Sequence, residues 1–389
     1  MFLSLKERLR KDVYAIKHIT AFTDRARRWL STLVELPEIL EPLGGSPQTK
    51  EWQVYDHCAA LTRLYAIYAT FIEELASEYV ELIPTLYQGY RELPESMRSQ
   101  HRIGIAQILL KLNDTGTYGT LDERRIVEHL AAGIAGNRPY SLLSDAFLVD
   151  RQNYRLDVLA GIFTSLGITK IGARLNRNIK IKSFLQEKYG ESSTLDAELA
   201  GFVRRRNEAA HSQIEDTIGV DDFHSLADLI ENLCAGLAEI VEEEVIRRRV
   251  ALTQFSDCGS VEEAPYKGFV AVARMRAVSL KLGDELLILQ NAEFVNRASI
   301  ESLRLEDVEV DHVDAAEGQE VGIRLSARCR QGNTLARLIE PACPPEPQMP
   351  MFDSNDPAEP DSFEVELAQA AEELLESETD PEAPLNLGK

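Results

Sequence analysis

Arg206, Asn207 and His211 fall in one short stretch, LDAELAGFVRRRNEAAHSQI, that runs from Leu195 to Ile214. An imidazole titrates near neutrality and can move the proton of a ribose 2′-hydroxyl, while a guanidinium can grip phosphate oxygens through two parallel N–H bonds. Residues of these types at this spacing suit phosphoryl transfer within RNA, with no metal ion or cofactor required. Arg204 and Arg205 precede them and add positive charge for an RNA backbone.

A helix should carry this stretch. Thr194 is suited to cap it, because its hydroxyl can accept an otherwise orphaned amide N–H, so the helix starts near Leu195. Leu195, Leu199, Phe202 and Val203 then recur at the spacing of a buried stripe. At about 100° per residue, Arg204, Asn207, Glu208 and His211 share a wetter face. Arg206 is expected beside that face, with a side chain long enough to curl toward His211. A solvated basic face that merely ends at a histidine would produce the same pattern, since short spacings of common residues recur by chance.

Arg206-Asn207-x-x-x-His211 resembles the signature of the HEPN superfamily, in which an Arg and a polar residue precede a His late in an all-helical domain. Leu61 to Leu82, with Phe71, Ile72, Glu74 and Tyr79, is similar to the long early helix of the MAE-type and RiboL-PSP-associated branches. Asn153 to Ile168 resembles the segment between that helix and the motif. The likeness spans about residues 50 to 240, and Ser212 stands where many members carry Gly.

The resemblance implies a metal-independent RNA endonuclease that leaves a 2′,3′-cyclic phosphate, in toxin or phage-defence settings. Arg206 would bind the scissile phosphate, His211 would act as acid or base, and Asn207 would orient phosphate or ribose. Arg204, Arg205, Lys180 and Lys182 would bind RNA. Members commonly form homodimers, and a neutralising or regulatory protein partner is a further expectation. The alternative is a catalytically inactive HEPN-like module that binds RNA or protein.

The elements that must position these residues read as follows. Leu3 to Leu40 gives one or two amphipathic helices, and Glu41 to Lys50 has the composition of a hinge. Trp52 to Ile83 predicts a long helix ended by Pro84, with Tyr65, Tyr68, Phe71, Ile72, Leu75 and Tyr79 as an aromatic core stripe. Further helices are expected over His101–Leu112, Leu121–Ala135, Leu156–Leu166 and Asp221–Arg249, while Asn137 to Tyr154 reads as a surface connection. Lys170 to Lys188 carries six basic residues against Glu187, either part of an RNA footprint or a solvated charged loop.

Beyond Ala251 the periodicity shortens to alternating runs parted by turn residues, the pattern of a small antiparallel barrel. Lys281 to Glu285 and Gly318 to Leu325 resemble the second-domain barrel of translational GTPases. No P-loop GxxxxGK[ST] occurs in the chain, so the likeness brings fold and docking but not GTP hydrolysis. His312 lies within a strand pattern and reads as a packed or exposed strand residue.

The fold class is therefore α+β and multidomain: an all-α HEPN-like bundle, a small antiparallel β-barrel and a disordered acidic tail. The expected divisions are residues 1–45, 46–250, 260–340 and 341–389. A net charge of −22 taken alone argues against nucleic acid, but Pro341 to Lys389 holds 13 Asp or Glu and one Lys, which leaves −10 for everything before it. The five cysteines form no CxxC pair, so neither zinc nor a disulfide framework is indicated, and their odd number suits a reducing cytoplasm. No signal peptide and no membrane span are expected.

Overall fold

A computed structural model of the chain describes residues 1–32, 49–112, 121–136, 140–149, 152–210, 216–306 and 308–339. The acidic tail, His211, Ser212 and most of the expected hinge lie outside the described residues.

Helices come first: α1 (Leu3–Ser31), α2 (Thr49–Leu86), α3 (Glu95–Lys111), α4 (Glu123–Ala135), α5 (Leu156–Ser165), α6 (Ile171–Arg177), α7 (Ile179–Tyr189), α8 (Leu195–Ala210) and α9 (Val220–Ala251). The spine is α2, whose Leu61, Leu64, Tyr68, Phe71, Ile72, Leu75, Tyr79 and Ile83 keep helical spacing and are buried. It continues through Pro84 to Leu86. Burial of Leu86 and Tyr87 on the same core offsets the one backbone bond that proline cannot donate. Leu5, Leu9, Val13 and Ile16 of α1 share that core with α2, α5, α8 and α9.

Two stretches differ from expectation. The connection that leads to Tyr154 does not run over the surface, because Tyr140, Leu142, Phe147, Val149 and Tyr154 are buried. Its Ser144–Phe147 3₁₀ turn lies directly on α3, where a Cβ at Gly104 would come 1.9 Å from the carbonyl oxygen of Ala146. So many aromatic and aliphatic side chains gain more from burial than the loop loses in freedom. The Lys170–Lys188 run is helical too. Ile171, Leu175, Ile181 and Leu185 face inward, and the side chain of Asn178 caps α7 by accepting from the amides of Lys180 (3.0 Å) and Ile181 (3.4 Å).

The strands follow: β1 (Phe255–Glu263), β2 (Val270–Met275), β3 (Val278–Lys281), β4 (Glu285–Gln290), β5 (Glu293–Leu305), β6 (Val308–Val310), β7 (His312–Ala315), β8 (Glu320–Leu325) and β9 (Thr334–Leu338). The order β4-β9-β1-β2-β8-β5 closes on itself through β4–β5 pairing, giving a six-stranded antiparallel barrel; β6 extends from β5, and β3–β7 forms a separate ribbon. Closure pairs the edges that an open sheet would leave exposed. Alternate residues such as Val321, Ile323 and Leu325 fill its interior. His312 is exposed, with Nε2 at 2.9 Å from Ser279 Oγ, as a strand residue should be.

The last turns of α9 meet the barrel wall, where Ile246 and Val250 pack with Leu287, Leu289 and Ala336. One turn earlier, Glu242 is 2% exposed and accepts from Lys6 Nζ (2.7 Å) and Arg297 Nη2 (3.0 Å). A single carboxylate thus joins α1, α9 and β5. No helix among the described residues is long and apolar enough to cross a membrane.

The approach of the Ser144–Phe147 turn to α3 yields a stability test. Gly104→Ala should lower the unfolding free energy by roughly 2–4 kcal/mol, since backbone must move to admit the methyl group. Gly201→Ala, with nothing within 4 Å of its added Cβ, should be neutral or stabilising by up to about 1 kcal/mol. Urea unfolding of both variants decides; equal effects would contradict the packing described.

Candidate active site

The start of α8 is built as its sequence suggests. Thr194 Oγ1 accepts from the amide of Ala197 (3.3 Å), and Ser193 Oγ donates to Glu198 (2.8 Å). Leu195, Leu199, Phe202, Val203 and Ala209 form the buried face.

Arg206 belongs to that buried side. It follows Phe202 by one turn, so its guanidinium, expected beside the wet face, is carried toward α2. Its Cζ lies 3.7 Å from the centroid of the Tyr65 ring, and Nη2 donates to Asn153 Oδ1 at 3.1 Å. Nε is buried with no hydrogen-bond partner among the described residues. A flat, weakly hydrated guanidinium can be desolvated in this way where an ammonium could not, because an aromatic face supplies part of the lost solvation.

Asn153 is held by the turn it occupies. Its φ of 53° is left-handed, a region that asparagine tolerates better than most residues, and its carbonyl accepts from the amide of Arg155 at 2.5 Å. Tyrosines of α2 pin the next residue: Tyr68 Oη donates to the Tyr154 carbonyl (2.8 Å), and the Tyr154 amide donates to Tyr65 Oη (3.2 Å). Tyr154 Oη in turn donates to Glu73 (2.6 Å). Burial drives the ionisation of Tyr68 well above its ordinary value, so its hydroxyl stays protonated and remains a donor.

The outer side of α8 forms an open groove lined by Arg155, Gly201, Arg204, Asn207 and Glu208. Arg204 and Asn207 therefore share a face, as the helical spacing requires. Arg204 is exposed and paired with Glu208 at 2.9 Å. Arg155 is exposed and has no ion pair among the described residues. Arg205 acts electrostatically on His57 of α2 and on Tyr189 of α7. Burial pushes the Tyr189 hydroxyl up to about 12, with Arg205 opposing the shift.

The basic run is partly neutralised by its own fold. Lys180 pairs with Glu239 of α9 (3.2 Å), Arg174 with Glu243 (2.6 Å) and Lys188 with Glu187 (3.1 Å). Lys170, Arg177 and Lys182 carry no ion pair among the described residues. No cluster of metal-ligating side chains occurs among the described residues.

Sequence reasoning missed Tyr65, Asn153, Arg155 and His57 as site residues. Tyr65 was legible only as one member of the aromatic stripe, and Asn153 only as the start of a segment. His57 is 9% exposed and its Nδ1 accepts from the amide of Ile218 (3.3 Å), so the neutral ring carries its proton on Nε2. Burial first, and Arg205 second, lower its pKa below the ordinary 6.5, against Asp216 and Glu208.

The chain matches a family model described as HEPN_MAE_28990-like HEPN over residues 20–250, a span that includes α2, the Asn153–Arg155 turn and α8. No curated protein matches the chain. Among solved structures, the selenomethionine variant of the C-terminal domain of a Geobacillus thermoleovorans protein assigned as a U32 peptidase is 20% identical. The match covers 21% of this chain and 99% of that one with a TM-score of 0.19, and nothing about this chain follows from it.

The seating of Arg206 predicts unequal losses from two arginines only two residues apart. Arg206→Ala should cost roughly 2 kcal/mol through the lost ring contact and the unpaired Asn153, while Arg204→Ala should stay within about 0.5 kcal/mol. Comparable denaturation midpoints would contradict the buried placement. His57 gives a pH test. Its folded pKa is depressed, so the unfolded chain binds more protons just below 6.5; the stability it contributes is complete above that value and is lost as pH falls toward the folded pKa. His57→Asn keeps an acceptor for Ile218 and should lose less stability than the wild type between about pH 7 and about pH 5.5. Identical losses would show that His57 is not depressed.

Proposed function

This chain belongs to the HEPN_MAE_28990-like HEPN family, and we propose that it is a metal-independent RNA endonuclease. The observation that carries the reading is that α8, which precedes His211 in the sequence, holds an ordered Arg206 on its inward side and Arg204 and Asn207 in the groove on its outer side. His211 takes the proton of a ribose 2′-hydroxyl. The 2′-oxygen then attacks phosphorus, the P–O5′ bond breaks, and the leaving 5′-oxygen takes a proton from an imidazolium or water. The products are a 2′,3′-cyclic phosphate and a 5′-hydroxyl.

Arg206 neutralises the phosphorane-like charge, and Asn207 orients phosphate or ribose from the groove side. Arg204, Arg205 and Lys182 attract the RNA backbone, with Lys180 contributing once it leaves Glu239. The reading extends to a cytoplasmic toxin or phage-defence effector that works as a homodimer facing two motifs across one cleft, under a neutralising protein partner. A second reading is favoured by one observation: Nη2 of Arg206 is engaged and Nε is buried, as would suit an inactive HEPN-like module that only binds RNA or protein.

Full-length protein should cleave single-stranded RNA in excess EDTA, and His211→Ala should slow cleavage by at least about 100-fold, the usual scale for loss of a general acid or base. A requirement for Mg²⁺, or wild-type rates from His211→Ala, would overturn the proposal in favour of the binding module.

A further inference from the structure

The Asn153–Arg155 turn touches both sides of α8. Asn153 reaches the inward-facing Arg206, and two residues later Arg155 lines the outer groove with Arg204 and Asn207. Between them Tyr154 is locked to α2 through its amide, carbonyl and hydroxyl.

Nη2 of Arg206 is bonded to Asn153, and Nε is buried without a partner. Nη1 is neither bonded within the described residues nor enclosed without a partner. The ring of Tyr65 covers one face of the group, so rotation about the side chain is restricted. The arrangement leaves one end of the fork available and fixes its direction. Arg155 supplies a second guanidinium that is exposed and without an ion pair among the described residues, in the groove that also holds Asn207.

We propose that the Asn153–Arg155 turn is the second wall of the RNA site: Tyr65 and Asn153 are positioning residues that aim Nη1 of Arg206, and Arg155 binds a backbone phosphate of the same RNA. This rests on the proposed nuclease reading for its substrate. It predicts two different kinetic signatures, because a misaimed transition-state contact and a missing backbone contact act on different steps. Asn153→Gly keeps the left-handed backbone and removes only the acceptor. It should lower kcat by ~10- to 100-fold with little change in KM. Tyr65→Leu should do the same, while Tyr65→Phe, which keeps the ring over Arg206 but removes the acceptor of the Tyr154 amide, should lose clearly less than Tyr65→Leu.

Arg155→Ala leaves the backbone bond from its amide to Asn153 in place. It should act on KM and reduce the salt dependence of RNA binding by about one unit of log–log slope. The experiment uses full-length protein and a fluorescein-labelled single-stranded RNA of mixed sequence, with steady-state cleavage in EDTA and anisotropy titrations across a salt series. Unchanged kcat in Asn153→Gly, equal loss in Tyr65→Phe and Tyr65→Leu, or an unchanged salt slope in Arg155→Ala would each overturn the assignment. If the wild type binds RNA without cleaving it, the nuclease reading fails. The turn is then judged by binding alone, where Arg155→Ala must flatten the salt slope and Asn153→Gly must weaken affinity several-fold; wild-type titrations from both would reject it.

Discussion

A guanidinium leaves water only where other groups replace part of its hydration, and the site side of this molecule is arranged around that constraint. Arg206 sits on the inward side of α8, one turn after Phe202, so α2 must offer it an aromatic face and the connecting chain must offer an acceptor. Tyr65 supplies the face and Asn153 the acceptor. Asn153 can serve only if its turn is fixed, and Tyr65, Tyr68 and Glu73 of α2 fix it through Tyr154. The aromatic stripe of α2 is therefore more than filler: Tyr68 packs in the core and holds the turn with the same side chain.

A second constraint joins the helices to the barrel. Glu242 is enclosed on α9, and an enclosed carboxylate is tolerable when cations meet it closely. Lys6 and Arg297 do so from α1 and β5. Apolar packing at Ile246 and Val250 continues the junction along the same helix. One long helix thus serves two cores, with its first turns closing the helical core and its last turns resting on the barrel wall.

Much of this was legible because it depends on local spacing. Tyr68, Phe71, Ile72, Leu75 and Tyr79 announce the buried face of α2, Thr194 announces the start of α8, and the alternation in β8 announces a barrel wall. What stayed hidden depends on partners far along the chain. The direction of Arg206 was available from its distance to Phe202, but an arginine is ordinarily assigned to solvent until a Tyr65 is known to face it. The stretch from Tyr140 to Tyr154 carries aromatic residues enough to be buried, yet nothing local shows that Gly104 makes room for it. The same holds for Lys170–Lys188, whose charges hide the Ile171, Leu175, Ile181 and Leu185 stripe. His57 and Arg155 carry no motif, and only the fold brings them beside α8.

The central claim of the proposed function is that the ribose 2′-hydroxyl is the nucleophile. The most direct measurement is cleavage of an RNA in which a single 2′-deoxy nucleotide replaces the one 5′ to the mapped scissile bond. The account predicts that this bond survives while cleavage elsewhere in the strand continues, and that the unmodified strand yields 2′,3′-cyclic phosphate ends. Cleavage of the deoxy-substituted bond at the normal rate would contradict it.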